Sequence, residues 1–281
     1  MTLPIDFTKA TGAGNDFVIV DDMRGDLRVD LPALARAVCD RHFGIGGDGL
    51  LVLEKSEVAE FAMRYYNADG SWGGMCGNGG RCIARFAFAH KIAGRRQHFE
   101  ALGHVYEAEV DAGAVRLHMK DPVEYRADIG IAVRIGGART FFVNTGAPHA
   151  VILVDDPAMV DVARDGGAIR WSPGFAPGGT NVNFVWRDSA GNVLLRTYER
   201  GVEAETLACG TGSIATAIVA SEAFGLPSPV SVHVRSGETL RVHFAGKNGA
   251  WSNVILEGSA RLVFSGRVLY NTDPPTLEAA L

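Results

Sequence analysis

The sequence predicts an α+β protein of two pseudo-symmetric domains, each a mainly antiparallel sheet or barrel wrapped around a central buried helix. Three observations predict it. Short runs rich in β-branched and aromatic residues, bounded by Gly, Asp or Asn, dominate the chain. Two segments, residues 80–91 and 212–224, are apolar almost all the way round a helical wheel, so each must be enclosed and not laid on a surface. Blocks of the first half also recur, in the same order, in the second half.

In chain order, strands are expected over residues 17–20, 50–53 and 61–66. Residues 105–110 and 114–119 flank Asp111-Ala112-Gly113 and form a hairpin with Gly at the left-handed position. Further strands are expected over 141–143, 151–154, 182–186, 193–198, 230–234, 240–244 and 254–256. Residues 31–41 read as an amphipathic helix and 157–164 as a short one; 80–91 and 212–224 are the enclosed pair. Thr11-Gly12-Ala13 with Val18-Ile19-Val20-Asp21-Asp22 recurs 134 positions later as Thr145-Gly146-Ala147 with Ile152-Leu153-Val154-Asp155-Asp156. The Gly-rich loop and strand at 44–52 fall on 178–186, and Cys76-Gly77-Asn78-Gly79 falls on Cys209-Gly210-Thr211-Gly212. The repeat assigns residues 1–121 to one domain, completed by a returning strand over 264–281, and residues 122–263 to the other.

Composition narrows the class. Of 281 residues, 47% are apolar and 21% charged, enough for a substantial core. Lys and Arg total 27 against 32 Asp and Glu, a net charge of −5 with a pI near 5.9, which argues against a nucleic-acid or anionic-membrane partner. No apolar run approaches the ~18 residues of a membrane span. Met1-Thr2-Leu3-Pro4-Ile5-Asp6 lacks a basic segment followed by an apolar one, so no signal peptide is expected and the expected location is cytoplasmic. Four cysteines are too few for a disulfide scaffold in a chain of this length.

The repeat places Cys76 and Cys209 each immediately before a Gly-x-Gly turn that opens an enclosed helix. The positive end of the helix dipole and its unpaired N–H groups lower a thiol pKa from about 8.5 into the range of about 3.5–7.5. Cys39 and Cys82, the latter inside its helix, read as small buried hydrophobes. A pseudo-twofold axis would set the two special thiols on opposite walls of a cleft. Inverting a carbon stereocentre needs that arrangement: a base on one face and an acid on the other. The turns at Gly77-Asn78-Gly79 and Gly210-Thr211-Gly212 supply outward donors for a carboxylate. No cofactor and no metal is expected. Gly44-Ile45-Gly46-Gly47-Asp48-Gly49 fits G-x-G-x-x-G but precedes a strand, the wrong context for a dinucleotide. Cys76 and Cys82 have no second ligand pair for zinc, and Ser71 and Ser213 lack a nucleophile elbow. Asn15, Asn67 and Asn181 lie on loops, where Asn serves as turn former or as ligand. His149 follows Pro148 at the mouth of a strand, placed to bias a nearby thiol. Glu199-Arg200 ends a strand just before the second Cys loop and suits a zwitterionic substrate.

Several of these blocks resemble one family. Gly14-Asn15-Asp16-Phe17, Asn67-Ala68-Asp69-Gly70-Ser71, Met75-Cys76-Gly77-Asn78-Gly79-Gly80-Arg81-Cys82, Gly179-Thr180-Asn181-Val182-Asn183-Phe184 and Tyr198-Glu199-Arg200-Gly201, running through Glu205-Thr206 to Ala208-Cys209-Gly210-Thr211-Gly212, resemble the diaminopimelate epimerase family. The resemblance implies interconversion of LL- and meso-2,6-diaminopimelate without pyridoxal phosphate, in lysine and peptidoglycan-precursor synthesis, on a homodimer of two-domain chains. It also implies roles. Cys76 and Cys209 are the acid/base thiols. Asn15, Asn67, Asn181, Glu199 and Arg200 hold the substrate, and Gly77, Asn78, Gly210 and Thr211 bind the reacting α-carboxylate. His149 and Glu199 tune the thiols. Ala147 stands where many members carry Asn, Gly49 where some carry Gln, and Trp72 where an acidic residue is common. Two other readings fit the residues: a racemase of the same architecture acting on another amino acid or proline, and a thiol-redox or ligand-binding protein. No macromolecular partner besides a second copy is expected.

Overall fold

The structure, a computed structural model, describes residues 2–131, 134–135 and 137–279. It divides into two compact units, Met1–Leu117 with Gly258–Leu281, and His118–Glu257. The first unit begins β1 (Thr2–Gly12), β2 (Asn15–Asp22), α1 (Leu31–Cys39), β3 (Gly49–Glu54), β4 (Phe61–Asn67), α2 (Gly77–Ala89), β5 (Arg96–Ala101), β6 (His104–Val110) and β7 (Val115–His118). The second holds β8 (Val123–Ala127), β9 (Arg139–Asn144), β10 (Pro148–Leu153), α3 (Val162–Arg170), β11 (Asn181–Arg187), β12 (Val193–Glu199), β13 (Ala204–Thr206), α4 (Gly210–Phe224), β14 (Val230–His233), β15 (Thr239–Lys247) and β16 (Ala250–Gly258). The chain then returns to the first unit as β17 (Arg261–Thr272) and β18 (Pro275–Ala279).

Both units repeat one pairing pattern. The first runs β18-β17-β1-β2-β3-β4-β5-β6-β7, with β2–β3 and β4–β5 parallel and the other pairs antiparallel. The second runs β9-β10-β11-β12-β14-β15-β16, with β10–β11 and β12–β14 parallel and the others antiparallel. The register repeats as well. Phe17 stands opposite Gly49, and Val151 opposite Asn183, so the offset of 134 in sequence is also an offset in hydrogen-bond register.

One helix of each unit is wrapped by its sheet. α2 touches β1, β2, β3, β4, β6 and β17, and α4 touches β9, β10, β11, β12, β14 and β15. The other helix covers the outer face: α1 lies on β2, β3, β4 and β18, and α3 on β11, β12 and β13. Strands between two helical layers are buried on both faces, which is why they read as apolar runs without alternation. Val18, Val20, Leu50 and Val52 join the cluster with Leu34 and Val38 of α1. Ile19, Leu51 and Leu53 point the other way and are equally buried. Each such side chain contributes about 1.5–3 kcal/mol on burial.

Three expectations are corrected. The helix over 157–164 is two elements: a three-residue turn capped by Asp156, and α3 capped by Asp161. Val160 between them is extended, at φ −95° and ψ 112°, which interrupts helical hydrogen bonding. The enclosed helices start earlier, at Gly77 and Gly210, because the glycine turns are themselves the first helical turns. The returning segment enters the ladder before residue 264, since Arg261 and Leu262 already pair Thr11 and Ala10. A further strand that the sequence analysis did not expect, β1, runs through Pro4, which lies opposite Leu269 of β17 and beyond the reach of β2, paired only to Thr8–Gly12, so one of its edges is free there.

Candidate active site

In the first unit, Cys76 is the N-cap of α2, extended at φ −114° and ψ 121°, and its half-buried Sγ accepts from the Gly79 N–H at 3.5 Å. A methyl group at Gly79 would press on Leu51 Cδ2 at 3.2 Å, so the turn lies flush on β3. Behind it runs a polar chain. Arg81, fully buried, donates to Gly77 O (3.3 Å), Ser259 O (3.4 Å) and Asn78 Oδ1 (2.8 Å). Guanidinium only donates, so the Asn78 carboxamide is fixed oxygen toward Arg81, and its Nδ2 donates to Asn15 Oδ1 at 2.5 Å. Asn15 Nδ2 in turn donates to Asp48 Oδ2 at 2.8 Å. Arg41 bridges Asp48 and Asp16, and Lys9 pairs with Asp16. Burial pushes the Asp16 carboxyl up, but the hydrogen bonds from Arg41 and Lys9 outweigh it and hold the group at about 2. Asn67 donates to Ser71 Oγ at 2.9 Å, while Ala68 N–H joins the same loop through Asp48 O at 3.1 Å. At Gly49 any side chain would strike the Tyr65 ring and the Tyr66 carbonyl, which explains glycine there.

Replacing Arg81 with Met leaves the Asn78 carboxamide oxygen buried without its donor, a cost of about 2–3 kcal/mol. Urea denaturation of the Arg81→Met protein therefore gives a lower midpoint with the same slope; an unchanged midpoint contradicts this ordering role.

In the second unit, Cys209 caps α4 with nearly the same backbone, φ −120° and ψ 117°. Its sulfur lies 3.5 Å from Thr211 Oγ1. Thr211 Oγ1 is 2.9 Å from His149 Nε2, and His149 Nδ1 is 2.9 Å from Asn183 Nδ2. Thr197 Oγ1 donates to Asn183 Oδ1 at 3.0 Å. His149 is fully buried; that burial, aided by the positive charge of Arg200, pushes its pKa down to about 3, so the imidazole is neutral. Asn181 ties three strand ends together: its Nδ2 donates to Pro148 O (3.0 Å) and its Oδ1 accepts from Arg200 N–H (2.8 Å). Glu199 Oε2 accepts from Thr206 Oγ1 at 2.8 Å, and the Arg200 side chain is exposed.

The expected residues thus fall into two clusters. Cys76, Gly77, Asn78, Asn15 and Asn67 belong to the first unit; Cys209, Gly210, Thr211, His149, Asn181, Glu199 and Arg200 belong to the second. The offset of 134 maps Asn15 onto His149, and both touch the residue two beyond the helix-capping cysteine. One scaffold contact therefore carries an amide pair in one unit and an imidazole–hydroxyl pair in the other. Cys39 and Cys82 are buried, and burial pushes the Cys39 thiol up to about 12, far from thiolate chemistry. Sequence reasoning missed Asp48, Arg81, Asn183 and Thr197. The available signal was polarity where apolar residues belong: Asn181 and Asn183 share one face of a buried strand, and Arg81 lies inside an enclosed helix.

Chemically, each unit offers a thiol at the positive end of a helix beside backbone donors that suit an anion. A family model described as diaminopimelate epimerase matches residues 7–135 and 141–263. A diaminopimelate epimerase of Chlorobaculum tepidum is 44% identical over 262 residues, covering 92% of this chain and 99% of that one. One of Aquifex aeolicus is 41% identical, covering 94% and 98%. Among solved structures, a PhzF-family phenazine biosynthesis protein of Bacillus anthracis aligns with TM-score 0.73 at 15% identity, covering 95% of this chain and 99% of that one. A hydroxyproline epimerase of Agrobacterium vitis aligns with TM-score 0.67 at 15% identity, covering 95% and 92%, so the two likenesses extend to the fold. With both halves matched and identity above 40% over nearly the whole length, the chain belongs to the diaminopimelate epimerase family.

Proposed function

We propose that this chain interconverts LL- and meso-2,6-diaminopimelate, with Cys76 and Cys209 exchanging the roles of base and acid on opposite faces of one α-carbon. The observation that carries the reading is the matched placement of the two thiols: each caps a helix with an extended backbone, immediately before a Gly-x-Gly turn. A thiolate takes the α-proton, and the other group, as thiol, delivers a proton to the opposite face. The carbanion between these steps needs its carboxylate surrounded by donors. The N–H groups of Gly77, Asn78, Gly210 and Thr211 have that role here, favoured by two helix dipoles. Asn15 and Asn181 each hold protein structure with one amide N–H and give the second to the substrate. Asn67, Glu199 and Arg200 complete the binding of a zwitterion, and His149 and Glu199 tune the thiols. The same reading makes the two units the halves of the epimerase, needs no cofactor or metal, and makes the enzyme a cytoplasmic homodimer in lysine and peptidoglycan-precursor synthesis.

Proton exchange tests it. Incubated in D2O with LL-diaminopimelate, the enzyme forms the meso isomer with deuterium at the inverted Cα. Absence of deuterium there, with wash-in to proline or another amino acid instead, replaces this reading with a racemase of different substrate. Exchange into none of them leaves a binding or redox protein.

A further inference from the structure

We infer that Asn183 is a positioning residue that fixes His149 as its Nε2–H tautomer and thereby aims a line of hydrogen bonds, through Thr211, at the Cys209 sulfur. The effect on rate rests on the epimerase reading; the tautomer rests on geometry alone.

Asn183 and Thr197 are cross-strand partners on β11 and β12, and both side chains are buried. The Asn183 carboxamide could in principle be turned either way. Its surroundings choose one. A methyl group at Gly212 would lie 2.7 Å from Asn183 Oδ1, so this oxygen rests against the first turn of α4. The positive end of a helix attracts a carbonyl oxygen and repels an NH2 group. Thr197 Oγ1–H donates to the same oxygen. With Oδ1 so held, Nδ2 must donate to His149 Nδ1, which therefore carries no proton. A neutral imidazole then has its hydrogen on Nε2, and this donates to Thr211 Oγ1. The threonine hydroxyl is left to donate to the sulfur. Every hydrogen in the line points toward Cys209, which favours its thiolate. In the first unit the corresponding contact is Asn78 to Asn15, an amide pair whose orientation is set from Arg81 and Asp48. A tautomer-dependent line therefore serves Cys209, where the equivalent contact of the first unit is an amide pair.

Long-range 1H–15N spectra of the resting protein with 15N-labelled histidine read the tautomer directly, the His149 signals being assigned by their loss in His149→Gln. The wild type should show an unprotonated, pyridine-like Nδ1 and a protonated, pyrrole-like Nε2. Asn183→Asp replaces the donor with an acceptor and should move the proton to Nδ1. Its kcat should fall roughly 10- to 100-fold, as for other residues that orient a functional histidine, with KM changed less than about twofold because substrate contacts are untouched. Should Asn183→Asp not fold, Thr197→Val releases the lock while keeping the imidazole contact, and the Nε2–H signal should lose intensity to the other tautomer. A wild-type protein with the proton on Nδ1, or a tautomer that neither variant moves, overturns the assignment. A tautomer that moves while kcat does not overturns the line to Cys209. The expected tautomers in a wild-type protein that never epimerises diaminopimelate would sink the epimerase reading and leave the Asn183 assignment standing.

Discussion

Serine in place of either Cys76 or Cys209 lowers epimerisation by roughly two to four orders of magnitude, the range by which a positioned acid or base accelerates a reaction. A hydroxyl is a far weaker acid than a thiol, so it supplies neither the anion that removes the α-proton nor a ready proton for the opposite face. The two variants should nevertheless differ. Each keeps one working thiol, which can remove the proton on its own face and return one from solvent to that face. Each variant therefore washes deuterium into one isomer only, without inversion, and the two variants choose opposite isomers. Monitoring the Cα signal of LL- and meso-diaminopimelate by NMR in D2O reads this pattern and identifies the thiol that serves the LL face. Single variants that retain turnover within about tenfold of the wild type would remove both thiols from the chemistry.

Acid should destabilise the protein from an unusually high pH, and His149 is the cause. Its folded pKa, about 3, lies well below the unfolded value of 6.5. Above pH 6.5 the residue is neutral in both states and contributes no pH dependence. As pH falls below 6.5 the unfolded chain binds a proton that the folded one refuses, so stability drops by about 1.4 kcal/mol per pH unit until about pH 3. Over the whole window the loss is on the order of 4–5 kcal/mol, a large share of what a domain possesses. Asp16, held at about 2 against 3.8 when unfolded, adds its own loss only as the pH falls below about 5. The interval from about pH 6.5 to 5.5 is therefore governed by the imidazole, since Asp16 and Glu203, whose folded carboxyls are held below 3.8 and 4.5, lose their contribution only nearer those values. Urea midpoints measured across that interval should fall steadily in the wild type and flatten in His149→Gln, whose side chain does not titrate. Equal slopes in the two proteins would mean that the imidazole is charged in the folded state.

The repeat was the most legible feature because it is written in local sequence. The Thr-Gly-Ala turns, the apolar strands and the Cys-Gly-x-Gly helix starts each recur with their spacing intact, and the hydrogen-bond register follows the same offset. The cysteines were legible for the same reason: a helix N-terminus is a local object. Partnerships between distant segments were not. β1 was missed because Pro4 and Lys9 break its pattern and its main partner, β17, lies at the other end of the sequence. Arg81, Asp48, Asn183 and Thr197 were passed over because a polar side chain acquires its meaning only from what the fold brings to it. Arg81 orients Asn78 within one helical turn, yet its burial depends on strands far along the chain. The split of residues 157–164 into two capped pieces was visible in principle, since Asp156 and Asp161 both precede segments they cap.

The pairing of β1 with β17 has a bearing on how the protein is made. A chain emerging from the ribosome delivers β1 through β7 first and then all of the second unit, whereas β17 and β18 come last. The second unit can complete its own ladder during synthesis. The first cannot, since β1 keeps an open edge until Thr272 has been translated. An unpaired edge of that length is the kind of surface that recruits foreign strands or chaperones. Nascent chains halted just before β17 should therefore carry one protease-resistant unit and one still waiting for its final strands.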